Sequence, residues 1–204
     1  LVRCTKPGGV CREQIGAMRS HVESNLAWYA DQGYAEAQYE MALVRLDYGD
    51  FPGSAAWLQK AAQQQHWKAQ LALADAYLEG SGVELDAERG LNLLFQAIVR
   101  HRDNTEVLQN AKGSLAMAYG TDVIETSNRM IKVFVWSHLV LADNPQLDSL
   151  EGMIFQVLAE GSREELTDIQ LATAEVLLHQ WRELFDAGLP GVTEEHLRKL
   201  TVPQ

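Results

Sequence analysis

Three segments of this chain align with one another, and this internal repeat restricts the fold more than any other feature of the sequence. Residues 37–46 match residues 69–78 at a shift of 32, with Ala, Gln, Ala and Leu in the same places. Residues 69–77 match residues 111–119 at a shift of 42, which aligns three alanines, a leucine and a tyrosine. A repeat of this length is typical of solenoids, in which similar units stack in a row.

Each aligned segment has the hydrophobic spacing of a helix. Ala69, Leu73, Ala76 and Tyr77 lie at i, i+4, i+7 and i+8, which places them on one helix face. Residues 56–62, 92–98 and 136–142 lie between or after these segments and predict a second helix for each unit. The unit is therefore a pair of antiparallel helices. Successive pairs must stack, because neither helix could bury its apolar side alone.

The connections between the paired helices contain residues that end and begin helices. Gly80 and Gly82 suit the left-handed conformation that ends a helix, and Asp86 suits the N-cap of the next one. In the first unit, residues 48–53 take this place and Ser54 is the predicted cap. In the third unit the connection begins at Gly120, and residues 126 and 127 are the candidate caps.

These residues resemble the Sel-one-like repeat (SLR) proteins, relatives of the tetratricopeptide repeats. The matching residues are Gln32-Gly33, Ala35-Glu36-Ala37-Gln38, Trp57, Lys60-Ala61-Ala62, Ala69-Gln70, Tyr77, Gly80-Ser81-Gly82-Val83 and Asp86. The resemblance spans about residues 25–143 and departs from the family pattern at Arg45, which replaces the repeat tyrosine of the first unit. It implies an all-α fold, a right-handed α-α superhelix of about three degenerate helix-pair repeats with capping helices at both ends.

The regions outside the repeats predict the capping helices. Residues 12–32 have the apolar spacing of an opening helix, and a long closing helix is predicted over 167–186, followed by a short one that begins near Thr193. We therefore expect one domain over residues 1–204. It comprises an N-terminal segment and first helix (1–24), the repeats (25–143) and the C-terminal capping helices (144–204).

The charge is acidic and unevenly distributed. The chain carries a formal net charge of -11, but residues 1–20 hold four basic residues and one acidic residue, so the remainder carries -14. Binding to nucleic acid or to anionic lipid is therefore not expected. No apolar run is long enough to insert across a membrane. A partner with a basic surface fits the acidic repeats, although solubility alone also explains such a charge.

Both cysteines, Cys4 and Cys11, lie near the N-terminus and flank a Pro-Gly-Gly turn. We expect a disulfide between them, and with it a periplasmic or secreted location. Two free thiols in a cytosolic protein are the alternative, and lipid attachment at Cys4 is a minor one because Arg3 precedes it. Leu1 in place of Met fits either a removed leader or a trimmed chain.

The sequence contains no pattern that indicates catalysis, a metal or another cofactor. The six histidines occur singly, and neither a Gly-x-Ser-x-Gly elbow nor a phosphate-binding loop is present. Some cysteine-rich proteins of the SLR family bind or cleave β-lactams, but in them a disulfide recurs in each repeat. The two cysteines of this chain lie outside the repeats, so we expect a protein that is not an enzyme.

The candidate partner-binding residues lie on the first helices of the units, by analogy with related repeats. We expect Glu40, Arg45, Asp75 and Glu79 to be exposed there. Trp67 lies in the turn between two units, where it is either a recognition anchor or a cover for the joint. The other four tryptophans, Trp28, Trp57, Trp136 and Trp181, follow helical stripes and are predicted to be buried.

The resemblance implies a non-catalytic protein-protein interaction scaffold. Within that class we favour a bacterial envelope protein with another protein as its partner, and an immunity protein that neutralises a secreted effector is its specific version. The alternative is a structural subunit of a secretion or polysaccharide assembly.

Overall fold

The repeat units form pairs of helices in a computed structural model that describes residues 23–121, 124, 126, 128–143 and 150–200. Within these ranges all regular secondary structure is helical. Residues 23–31 form α1, and the other helices are α2 (Ala35–Asp47), α3 (Phe51–Gln63), α4 (Trp67–Glu79), α5 (Ala87–Arg100), α6 (Thr105–Gly120), α7 (Arg129–Asp143), α8 (Leu150–Glu165), α9 (Asp168–Asp186) and α10 (Glu194–Lys199). Cys4, Cys11 and the start of the predicted opening helix lie outside the described residues.

The helices pack in the order expected for a solenoid. The pairs are α2 with α3, α4 with α5, and α6 with α7, and α3 and α5 each contact the first helix of the next pair. The first helices α4 and α6 also contact each other, and α8 continues the stack by packing on α6 and α7. The predicted helix pairs and the helical solenoid are therefore confirmed.

The aligned repeat positions form the core. Ala42, Ala74 and Ala116, which share one repeat position, are fully buried. Their small side chains let the neighbouring helices approach closely. One hydrophobic cluster runs from Leu71 in α4 to Leu200 after α10. Two smaller clusters contain buried residues of the first pair, α2 and α3.

Two of the predicted helix boundaries have a local chemical explanation. Asp86 caps α5 by accepting a hydrogen bond from the backbone N–H of Arg89 at 3.0 Å, as predicted. Ser54 is not the cap of α3. The cap lies four residues earlier, at Asp50, which accepts from the backbone N–H of Gly53 at 3.0 Å, and Pro52 occupies the first turn.

Gly82 is required by a close contact between two repeat units. Its φ is +75°, and a Cβ at this position would lie 2.1 Å from the carbonyl oxygen of Phe51. The connection between α4 and α5 therefore lies directly against the start of α3. Only glycine combines the left-handed backbone with this approach.

The tryptophans divide between core and surface. Trp136 and Trp181 are fully buried, and their ring centroids lie 6.2 Å apart where α9 packs on α7. Trp57 is partly buried, with the Lys60 ammonium 3.9 Å from its ring centroid. The prediction for Trp28 is wrong, because its side chain is 58% exposed. Helix α1 buries Ala30 against α2 instead, and Trp28 lies on another side of the helix.

The C-terminal helices close the end of the stack. Thr193 forms the N-cap of α10, as predicted, and Thr167, predicted as the first residue of α9, is the N-cap of that helix. Helix α10 folds back onto α5, where the Arg198 guanidinium donates to the side-chain oxygen of Asn92. The predicted apolar stripe of α9 is only partly buried, since Ile169 is 82% exposed and Val176 is 58% exposed.

Among the described residues, no helix combines the length and the hydrophobicity needed to cross a bilayer.

Candidate functional site

A groove of about 850 Å³ follows the first helices of the repeat units. Helices α4 and α6 supply most of its lining, Tyr39 contributes from α2, and Ile154 and Phe155 contribute from α8. We call it the first-helix groove. Its location agrees with the face from which partner binding was predicted, and α8 extends that face beyond the repeats.

The register of α4 against α6 defines the order of residues along the groove. Both are first helices of their pairs and run in the same direction, and the Ser114 hydroxyl donates a hydrogen bond to the Asp75 carboxylate. Trp67 and Glu106 therefore lie at the end formed by the helix N-termini. Met117 lies beyond Asp75, toward the other end.

Asp75 occupies the middle of the groove and is less exposed than predicted. Burial raises the pKa of its carboxyl to about 6, the hydrogen bond from Ser114 opposes this rise, and the negative charge of Glu79 adds to it. Among the described residues, no lysine or arginine forms an ion pair with Asp75. A desolvated carboxylate without a cation is energetically unfavourable, so this group favours the approach of a positive charge.

Trp67 and Glu79 also line the groove. Trp67 is the first residue of α4 and is partly buried, because one part of its ring packs against the main core. The Lys68 ammonium lies 5.4 Å from the centroid of this ring. Glu79 is exposed near the end of α4. The structure thus brings Trp67, Asp75 and Glu79 to one surface, with Trp67 both contacting the core and facing the groove.

Glu40 and Arg45 do not line the groove. Glu40 is exposed on α2. Arg45 lies in the last turn of α2, where its guanidinium is 3.6 Å from the carboxylate of Asp50, the N-cap residue of α3. Arg45 therefore contacts the turn of its own helix pair. Partner binding by Glu40 and Arg45 stays a prediction.

Sequence reasoning missed several groove residues, and the repeat alignment contains the signal for most of them. At the shift of 42, positions 72, 75 and 79 of α4 correspond to Ser114 and Met117 of α6 and to Thr121, which follows α6, and all three line the groove. Phe155 had no such signal, because α8 lies outside the repeats. Its ring packs over Gly113, where a Cβ would lie 3.3 Å away.

The described residues contain no group of three or more His, Cys, Asp or Glu side chains placed to hold a metal ion.

The fold and the groove define the class of the protein, a helical-repeat solenoid with a continuous surface along its first helices. No protein-family model matches the chain, and no curated protein matches it. The structure is similar to the crystal structure of a protective antigen present in uropathogenic Escherichia coli strains, which displays an SLR fold. The two align with a TM-score of 0.63 at 21% sequence identity.

The alignment covers 91% of this chain and 37% of that protein. The predicted resemblance to SLR proteins is therefore confirmed at the level of the fold, and this chain corresponds to only part of its neighbour's length.

Proposed function

We propose that this chain is a non-catalytic protein-protein interaction scaffold that holds a segment of another protein in the first-helix groove. The groove itself carries the proposal, because its volume of about 850 Å³ accommodates several side chains of a peptide segment. Solenoids of stacked helix pairs use such extended surfaces for binding. The partly buried Trp67 supplies a rigid aromatic surface of the kind found at binding hot spots.

The charges of the groove support a partner with a basic surface. Asp75, Glu79 and Glu106 line it together with one cation, Lys68. Complementary charge across an interface accelerates association and selects the partner. Salt screens the attraction between solvent-exposed charges, so binding should weaken as the ionic strength rises.

We further propose a periplasmic or secreted location in a bacterium. The pair Cys4 and Cys11 supports it, because the sequence predicts a disulfide between them and disulfides persist in oxidising compartments. A specific version of this function is that of an immunity protein, which neutralises a secreted effector.

A structural subunit of a secretion or polysaccharide assembly is the second candidate. The exposed apolar residues of α9, Ile169 and Val176, favour it. An assembly would cover these side chains, which otherwise face water at the end of the stack.

Site-specific photo-cross-linking tests the groove as the binding site. A photoreactive amino acid at position 117, which lies in the groove and is 42% exposed, should cross-link to a partner in the native cell envelope. The same residue at position 183, exposed on α9, which supplies none of the described lining of the groove, is the matched control. Adducts that form equally well from both positions, or from position 183 alone, would refute binding in the groove.

A direct assay tests the absence of catalysis. We expect hydrolysis of a chromogenic cephalosporin to stay at the background rate. Turnover above background by the purified chain would contradict the scaffold proposal and support the β-lactam-binding reading.

A further inference from the structure

We propose that the first-helix groove recognises its partner through one cationic side chain, a lysine or an arginine that enters beside α4 and α6 and pairs with Asp75. This inference rests on the proposed function. It adds the chemical identity of the side chain that is bound and the residue that selects it.

The surroundings of Asp75 carry the inference. The Ser114 hydroxyl donates to its carboxylate, and the nearest charge that affects it is the negative charge of Glu79, one helical turn away. Aspartate is rarely buried in proteins without a cation or several hydrogen-bond donors. Asp75 is partly buried, Ser114 is its one side-chain donor among the described residues, and this partial burial raises the pKa of its carboxyl to about 6. A cation from a ligand would supply the missing partner.

The cation of the groove itself does not serve this purpose. Lys68 precedes Asp75 by seven residues on α4, which corresponds to about 10 Å along the helix axis. Its ammonium lies over the Trp67 ring. Among the residues that the structure describes, the other titratable groups that line the groove are Glu79, Glu106 of α6 and Tyr39 of α2, and none of them is a cation at neutral pH.

The apolar lining around Asp75 suits the rest of such a side chain. Leu71 and Leu78 flank Asp75 on α4, and Met117 and Phe155 line the groove from α6 and α8. Lysine and arginine place their methylene stems on apolar surface while the charged group reaches a polar partner. The volume of the groove exceeds that of one side chain, so apolar residues beside the cation in the partner would be bound as well.

Ser114 is a positioning residue in this arrangement. Its hydrogen bond favours the ionised Asp75 carboxylate and leaves the remaining acceptor sites of that carboxylate for the cation. An oriented carboxylate in a partly desolvated groove binds a cation more strongly than one in bulk water does.

The pairing makes binding depend on pH. Only the ionised carboxylate attracts the cation, and with a pKa of about 6 roughly one tenth of Asp75 is ionised at pH 5. Affinity should therefore fall about tenfold between pH 7 and pH 5. The release of protons on binding near pH 6, measured by calorimetry in buffers of different ionisation enthalpy, reports the same coupling.

Selection from a library of random twelve-residue peptides displayed on phage tests the inference with the full chain. Wild type and the control variant Asp103→Asn, which alters an exposed carboxylate in the turn between α5 and α6, should enrich peptides with a lysine or arginine beside apolar residues. Asp75→Asn should not enrich that basic position. A synthetic peptide from the selection should bind Asp75→Asn at least about tenfold more weakly than wild type, a loss of about 1.4 kcal/mol.

The failures of the two proposals are distinguishable. Met117→Trp narrows the groove. If the selected peptides lose affinity for this variant but show no basic preference and bind Asp75→Asn as well as wild type, the role of Asp75 is overturned and the groove is retained as the binding site. A selection that yields no peptide sensitive to Met117→Trp would overturn the groove as a binding site and this inference with it. Ser114→Ala should weaken the selected peptide less than Asp75→Asn does, because the charge remains.

Discussion

Replacement of Asp75 by asparagine should stabilise the folded chain at neutral pH. The substitution keeps the shape of the side chain and an oxygen that accepts the Ser114 hydrogen bond, but it removes a charge that burial makes costly. A pKa raised from 3.8 to about 6 corresponds to about 3 kcal/mol, at about 1.4 kcal/mol for each pH unit. That figure is the expected gain in the free energy of unfolding above pH 6.

The direction of the pH dependence follows from the raised pKa. The carboxyl of Asp75 holds its proton more tightly in the folded chain than in the unfolded chain. Its ionisation therefore lowers the stability of the wild type as the pH rises from about 4 to about 6, and the loss is complete above that window. Asparagine does not titrate, so the difference between variant and wild type should be near zero at pH 4 and largest at pH 7.

Urea unfolding of wild type, Asp75→Asn and the exposed control Asp103→Asn at pH values from 4 to 8 measures this difference. For a chain of this length, about 3 kcal/mol corresponds to a rise in Tm of about 6 to 12 °C. The control should change by less than about 0.5 kcal/mol at every pH, as surface substitutions usually do. A gain for Asp75→Asn that is equal at pH 4 and pH 7 would refute the reasoning, because it would arise from packing and not from ionisation.

Two further substitutions test the packing of the groove and of the core. Trp67→Ala should lower the free energy of unfolding by about 1 kcal/mol and weaken binding in the groove. Trp181→Ala, at a fully buried site, should lower it by about 3 to 5 kcal/mol. If the two variants lose equal amounts of Tm, Trp67 is a packing residue. Asp143→Ala should cost about 3 kcal/mol, because it leaves the buried Lys112 ammonium, now 2.6 Å from that carboxylate, without a counter-charge. Lys112→Met should lower the free energy of unfolding by less than about 1 kcal/mol and should rescue Asp143→Ala in urea unfolding. If Asp143→Ala lowers it by no more than Lys112→Met does, this account is contradicted.

The helix pairs could be predicted from the sequence because the repeat and the cap residues act locally. The alanines at the aligned positions, the glycines after α4 and the aspartate before α5 each have a fixed preference for a place in a helix or turn. Where two nearby residues both suit the N-cap of one helix, the sequence was not sufficient to predict which of them is the cap. Asp50 and Ser54 both suit an N-cap, and the helix begins after Asp50, with Pro52 in its first turn.

The degree of burial could not be predicted for residues whose environment comes from other helices. Trp28 and Trp181 both follow apolar stripes, but α1 leaves Trp28 exposed whereas α7 and α9 enclose Trp181. Asp75 resembles any exposed acidic residue of a first helix. The packing of α4 against α6 partly buries it, and Phe155 of α8 contributes another part of the same groove.

The sequence by itself determined the repeat unit, the helical class and the face from which binding is expected, because periodicity and capping depend on neighbouring residues along one chain. The tertiary structure decided which carboxylate on that face is partly buried. It combined α4, α6 and α8 into one groove and placed a single carboxylate in its centre. Desolvation depends on all the atoms around a group, and those atoms come from three helices that are distant in the sequence.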